Sequence, residues 1–157
     1  MGVLAWAYNE TGQHERAATL CNRALALLDQ ADRLVVAINL RIEIQLALAE
    51  AGLGQTQAAQ QRLDTLLALH EPGRGAVTMG SLHTARAQVA LLRGDRDALE
   101  RHCKETEHWF RQTNNPVLIA QSERMVRLIW LASTPPAASG DESETVNLSP
   151  AQRSSAP

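Results

Sequence analysis

The chain has 157 residues, 45% of them hydrophobic but only 3% aromatic, and a formal net charge of −2. It contains no block of Lys or Arg, which argues against nucleic acid as a partner because that binding needs clustered positive charge. No apolar run approaches the ~20 residues of a membrane span.

Taken in order, the chain starts inside a patterned segment. Val3, Leu4, Ala7 and Tyr8 share the apolar spacing of a helix with no cap residue before them, so the reading is that the chain is the C-terminal part of something longer. Asn9-Glu10-Thr11-Gly12 is a turn, with Gly12 able to take a left-handed backbone. Ala17, Leu20, Cys21, Ala24, Leu25 and Leu28 then fall on one face of a second helix. Ala17 and Ala24 are small enough for a neighbouring helix to approach closely.

Asp32 is a suitable N-cap for the next helix, over 34–51. Within it Ile38 to Leu46 alternates apolar and polar, a strand signature. Its length and the helix-forming LALAEA that follows favour a helix, apolar on several faces and central to the fold. Gly52-Leu53-Gly54 is the next turn. Helix 56–70 follows, where Ala59, Leu63, Leu66 and Leu67 repeat the pattern of Ala17, Cys21, Ala24 and Leu25. After the loop 71–75 a third hairpin begins near Thr78 or Ser81, with Leu82, Ala85, Val89 and Leu92 as its stripe. It turns at Gly94-Asp95 and continues to about Gln112. Asp97–Arg101 and Glu100–Lys104 are i,i+4 pairs there. Asn115-Pro116 opens a last helix to about Leu131, since Asn caps well and Pro fits the first helical position. Residues 133–157, rich in Ser, Pro and Ala, cannot bury enough surface to offset the entropy of ordering, so a disordered tail is expected beyond a 1–132 helical domain.

Leu4-Ala5-x2-Tyr8, Gly12, Ala17-x3-Cys21 and Ala24-Leu25 resemble a tetratricopeptide repeat. The chain departs from that pattern at the missing early Trp, at Cys21 in place of an aromatic residue, and at Asp29 in place of the closing Pro. The turn glycines Gly12, Gly54 and Gly94 stand 42 and 40 residues apart, a period that marks a solenoid and exceeds the family's ~34. Such lengthened repeats resemble the C-terminal arms of bacterial regulatory ATPases and Ser/Thr kinases. The resemblance implies a right-handed α-α superhelix of three hairpins plus a C-terminal capping helix. It also implies a protein or peptide partner held in a groove formed by the first helix of each hairpin. The groove candidates are Trp6, Asn9 and Glu10, then Arg41 and Gln45, then Thr84 and Gln88. The family's basic clamp for a C-terminal carboxylate is not matched.

No catalytic, metal or cofactor constellation emerges. His102 and His108 are six apart and miss a common helix face, and no second set completes four ligands around Cys103 and Glu107. Adjacent His102 and Cys103 point ~100° apart, so one cannot activate the other. Gly73-Arg74-Gly75 lacks the Lys of a phosphate loop. Trp109-Phe110 reads as an anchor for the final helix. Cys21 and Cys103 read as reduced core thiols. With no signal peptide, the expected location is cytoplasmic. The expectation is therefore a non-enzymatic protein-interaction module of a bacterial signalling protein. The alternative is an oligomerisation scaffold pairing through the uncovered Leu4, Trp6 and Tyr8.

Overall fold

The computed structural model describes residues 1–28, 36–73 and 75–133. These form seven α-helices: α1 (Gly2–Glu10), α2 (His14–Leu28), α3 (Val36–Gly52), α4 (Thr56–His70), α5 (Ala76–Arg93), α6 (Arg96–Arg111) and α7 (Pro116–Ser133). A single 3-10 turn, Glu71–Gly73, follows α4, and no strand occurs among the described residues. None of the described helices is long and apolar enough to cross a membrane.

Three helix ends are built alike. α1, α3 and α5 each run out into a glycine with positive φ: Gly12 at 72°, Gly54 at 83° and Gly94 at 70°. A side chain would strain this backbone, so glycine takes the place. Each glycine N–H donates to the carbonyl three residues back, on Asn9, Ala51 and Leu91. The next N–H donates five back, to Tyr8, Glu50 and Ala90 at 2.8, 2.9 and 3.0 Å. That pair of bonds satisfies carbonyls the helix would otherwise leave open.

The packing keeps the same register. Seven residues before each glycine stands a buried alanine: Ala5, Ala47, Ala87. Five residues after stand Ala17, Ala59 and Leu99, and nine after stand Cys21, Leu63 and Cys103, all buried. Alanine at the first position of all three units, and at the second position of the first two, lets the paired helices close on each other; the third unit carries Leu99 at the second position.

The alternating stretch of α3 is helical, and the reason lies in its neighbours. Two residues along a helix is a turn of about 200°, so alternate residues face opposite sides. Ile42 and Leu46 pack with Ala5, Cys21 and Ala24. Ile44 and Ala47 pack with Ala59, Leu63, Leu82 and Val89. α3 thus sits between two hairpins, touching α1 and α2 on one side and α4 and α5 on the other. Each helix packs on the next, and α1 also meets α3, α3 meets α5, and α5 meets α7.

α7 starts as its sequence predicts. Asn115 Oδ1 accepts the Val117 and Leu118 N–H groups at 3.0 and 3.4 Å. Val126 then joins a cluster with Ala87, Ala90, Leu99 and Cys103, which covers the last hairpin.

Several expectations need correction or fall outside this description. α5 begins at Ala76, earlier than Thr78 or Ser81. Leu92 is 58% exposed rather than part of the buried stripe. It stands two residues before the turn glycine, where the first unit carries exposed Glu10. Phe110 lies against Gly80 of α5, where an added Cβ would come within 2.7 Å of its ring, so it anchors the hairpin itself. The Glu100–Lys104 pair forms at 2.7 Å, whereas Asp97–Arg101 is not among the ion pairs of the described residues. The Asp32 cap and the tail beyond Ser133 lie outside the described residues.

Candidate interaction surface

The seven groove candidates divide into those engaged inside the fold and those facing solvent. Asn9 is engaged on both sides of its amide. Its Nδ2 donates to Gln45 O at 2.9 Å and to Gln45 Oε1 at 3.0 Å. Its Oδ1 lies 3.2 Å from His14 Nδ1, so that nitrogen is the one that carries hydrogen and donates. The amide therefore ties α1 to α3 and to the start of α2. The His14 ring in turn fills the space beside Gly52, where a Cβ would stand 2.5 Å from it. Asn9 and Gln45 come together as a fastening between helices, with both polar atoms of the Asn9 amide and the Gln45 Oε1 engaged. Thr84 is half-buried and turned toward α6: its hydroxyl donates to Gly80 O at 2.8 Å and lies 3.5 Å from Thr106 Oγ1. Gln88 is half-buried.

Trp6, Glu10 and Arg41 are exposed, and they make no side-chain hydrogen bond or ion pair to the described residues. Trp6 is 51% exposed and Leu4 49% exposed, with Val3 beside them. Gly2 lies one helical turn before Trp6, on the same face. The place of a Gly2 Cβ is 3.9 Å from Arg41 Cβ. The start of α1 therefore lies against α3 near Arg41, and Trp6 and Arg41 are both exposed on these two packed helices. Large aromatic and Arg side chains are the ones that most often carry binding energy at protein interfaces, since both bury much surface at modest entropic cost.

Behind this surface lie ionic and polar contacts that sequence spacing did not disclose. Arg62 on α4 reaches two carboxylates of α3, Glu43 at 2.6 Å and Glu50 at 2.8 Å. Donating to the Glu50 carboxylate holds the Arg62 guanidinium firmly in its charged form. Arg86 on α5 is only 5% exposed and pairs with Asp64 on α4 at 2.7 Å. His83 on α5 and His102 on α6 meet at 3.0 Å, Nδ1 to Nδ1. Burial lowers the pKa of both rings, that of His102 to about 4, with Arg86 and His83 adding to the effect. Sequence spacing compares His102 with Cys103 and His108 on its own helix, whereas its neighbour stands 19 residues earlier across the hairpin. The signal that could have found it is the buried-face position of His102, between Leu99 and Thr106.

The thiols are closed to ordinary chemistry. Burial pushes Cys21 and Cys103 each up to about 11, with Glu43 adding to the first and Glu107 to the second. Among the described residues no group of three or more His, Cys, Asp or Glu is placed to hold a metal ion. An open groove of about 560 Å³ at the first turn is lined by residues including Gln13, His14, Arg16 and Leu53.

A scan against protein-family models, a search of curated proteins and a search of solved structures found no match to this chain.

Proposed function

We propose that this chain is a protein-interaction module, a right-handed superhelical stack of three lengthened tetratricopeptide-like hairpins capped by α7. Two features support the architecture: the three equivalent glycine turns with their shared burial register, and the run of contacts from α1 to α3 to α5 to α7. The single observation that carries the function is the exposure of Trp6 on α1 and Arg41 on α3, an aromatic and a cation with no side-chain hydrogen bond or ion pair among the described residues, on two helices that pack together. A rigid scaffold holds such side chains ready, which lowers the ordering cost of binding. The occupant is a protein segment offering an apolar side chain to Trp6 and a carboxylate to Arg41. In this reading the chain serves as the repeat arm of a larger bacterial regulatory protein.

Selection of a displayed random-peptide library against the chain tests this. Enriched peptides should carry an acidic residue near an aromatic or aliphatic one, and should lose binding to Trp6→Ala and Arg41→Ala while still binding Leu69→Ala. No enrichment, or binding indifferent to both substitutions, refutes the proposal.

One observation favours a second reading, self-association through α1. Val3, Leu4 and Trp6 are exposed on a helix of nine residues, with exposed Met1 just before it, and exposed apolar faces of helical stacks tend to pair. Sedimentation of the chain and of Leu4→Glu decides it: a concentration-dependent dimer abolished by the substitution supports pairing, and a monomer throughout rejects it.

A further inference from the structure

The two histidines between α5 and α6 hold a problem in proton placement. Their Nδ1 atoms are 3.0 Å apart and the ring centroids 5.3 Å apart. At that distance one nitrogen must donate and the other accept, because two N–H groups or two bare lone pairs repel. His102 is 6% exposed, and its second nitrogen, Nε2, has no hydrogen-bond partner among the described residues. A buried N–H without an acceptor is rarer and costlier than an acceptor left bare. His102 therefore keeps Nε2 bare and carries its hydrogen on Nδ1, donating to His83. The hydrogen of His83 then sits on its own Nε2, on a ring that is only half-buried.

We propose that this pair is a proton-operated latch on the α5–α6 hairpin, closed while both rings are neutral and released in mildly acidic solution. The reason is positional. A second proton on His83 can go only to Nδ1, which is already accepting from His102. A second proton on His102 can go only to Nε2, which is buried and faces no acceptor. The first breaks the contact outright; the second keeps the Nδ1–H donor but places a charge and a second N–H where burial disfavours them.

The surrounding charges do not rescue it. Arg86 on α5 opposes protonation of both rings, and Arg101 on α6 opposes it at His102. Asp95 favours it at His102 and Glu105 at His83, but burial outweighs both. Asp64 of α4 is engaged by Arg86, and Glu123 of α7 lies 3.6 Å from Arg111.

The sign follows from linkage. Once the hairpin opens, each ring takes up a proton near its ordinary pKa of 6.5, whereas closed His102 does so only near about 4. Opening therefore becomes easier as pH falls from ~6.5 toward ~4 and is indifferent to pH well above 7. Between pH 7 and pH 5 the His102 contribution alone multiplies the opening constant about twentyfold.

Hydrogen exchange of the full chain at pH 7 and pH 5, corrected for intrinsic rates, tests the latch. The α6 amides should lose about twentyfold or more in protection relative to those of α2, and clearly less in His102→Asn, whose amide can donate to His83 without titrating. Equal pH dependence in α2 and α6, or a loss unchanged by the substitution, overturns the proposal. Ring nitrogen chemical shifts of the unmutated chain give a second test that does not depend on the variant folding. Hydrogen on Nδ1 of His102 at pH 7, with no titration above pH 5, supports the latch; hydrogen on Nε2, or titration near 6.5, overturns it.

Discussion

Leu63→Ala is the sharpest probe of how the stack is held together. Leu63 is fully buried in a cluster that draws on both flanking helices: Ile44, Ala47 and Ala51 on α3, and Leu82, Ala85 and Val89 on α5. Removing three carbons forfeits ~2 kcal/mol of transfer free energy at ~0.8 per methylene. The remaining void adds up to ~2 kcal/mol at ~24 cal/mol per Å³ if its walls stay in place. Much of the lining is already alanine, with no longer side chain to swing in, and it is fixed on two separate helices. The walls therefore relax little, and a total of about 3–4 kcal/mol is expected. For a chain of this size each kcal/mol shifts Tm by ~2–4 °C, so a drop of about 10 °C should appear in thermal unfolding followed by far-UV circular dichroism. Leu69→Ala on the same helix, where the side chain is 69% exposed, is the control and should leave Tm within a degree or two. A loss below ~1.5 kcal/mol at Leu63, or equal effects at the two sites, would refute the account of α4 as a helix clamped between α3 and α5.

Other consequences follow from the same contacts. Gly54→Ala places a Cβ in open space at φ 83°, so its cost is backbone strain alone, about 1 kcal/mol, readable in urea unfolding; a neutral result would deny the left-handed turn. Asp64→Ala strands the buried Arg86 guanidinium and should cost about 1–3 kcal/mol. Arg86→Met, which removes the charge and keeps the stem, should be close to neutral and should suppress the Asp64→Ala defect. Additive losses in that double-mutant cycle would contradict the pairing. Asn9→Ala leaves Gln45 Oε1 and His14 without their shared partner and should cost about 1–2 kcal/mol, measured by chemical denaturation; no change would mean that the amide does not fasten α1 to α3.

Much of the helical frame could be read from local chemistry. A glycine demanded by a left-handed turn leaves its mark at one position, which is why Gly12, Gly94 and the start at Asn115-Pro116 were legible. Gly54 was harder, because Gly52 two residues earlier offers the same freedom, and only the hydrogen-bond pattern separates a turn glycine from one that makes room for His14. The alternation in Ile42, Ile44 and Leu46 looks like a strand because a period of two is also what a helix produces when opposite sides are both buried. Cross-helix polar contacts were not legible. Asn9 to Gln45, Arg86 to Asp64 and His83 to His102 join residues 36, 22 and 19 apart, and residue type alone does not tell a solvated amide from one locked between helices. Leu92 misled for the converse reason: its spacing is apolar-periodic, but the helix ends before a neighbour can cover it.

Ile42 and Leu46 belong to one cluster of α3, Ile44 and Ala47 to the other. The backbone of α3 is therefore the hinge pin shared by two otherwise separate rooms. Peeling α1 and α2 away would bare one wall of that helix and leave the opposite wall furnished. The two halves of the stack are therefore coupled through one helix whose opposite sides belong to different cores.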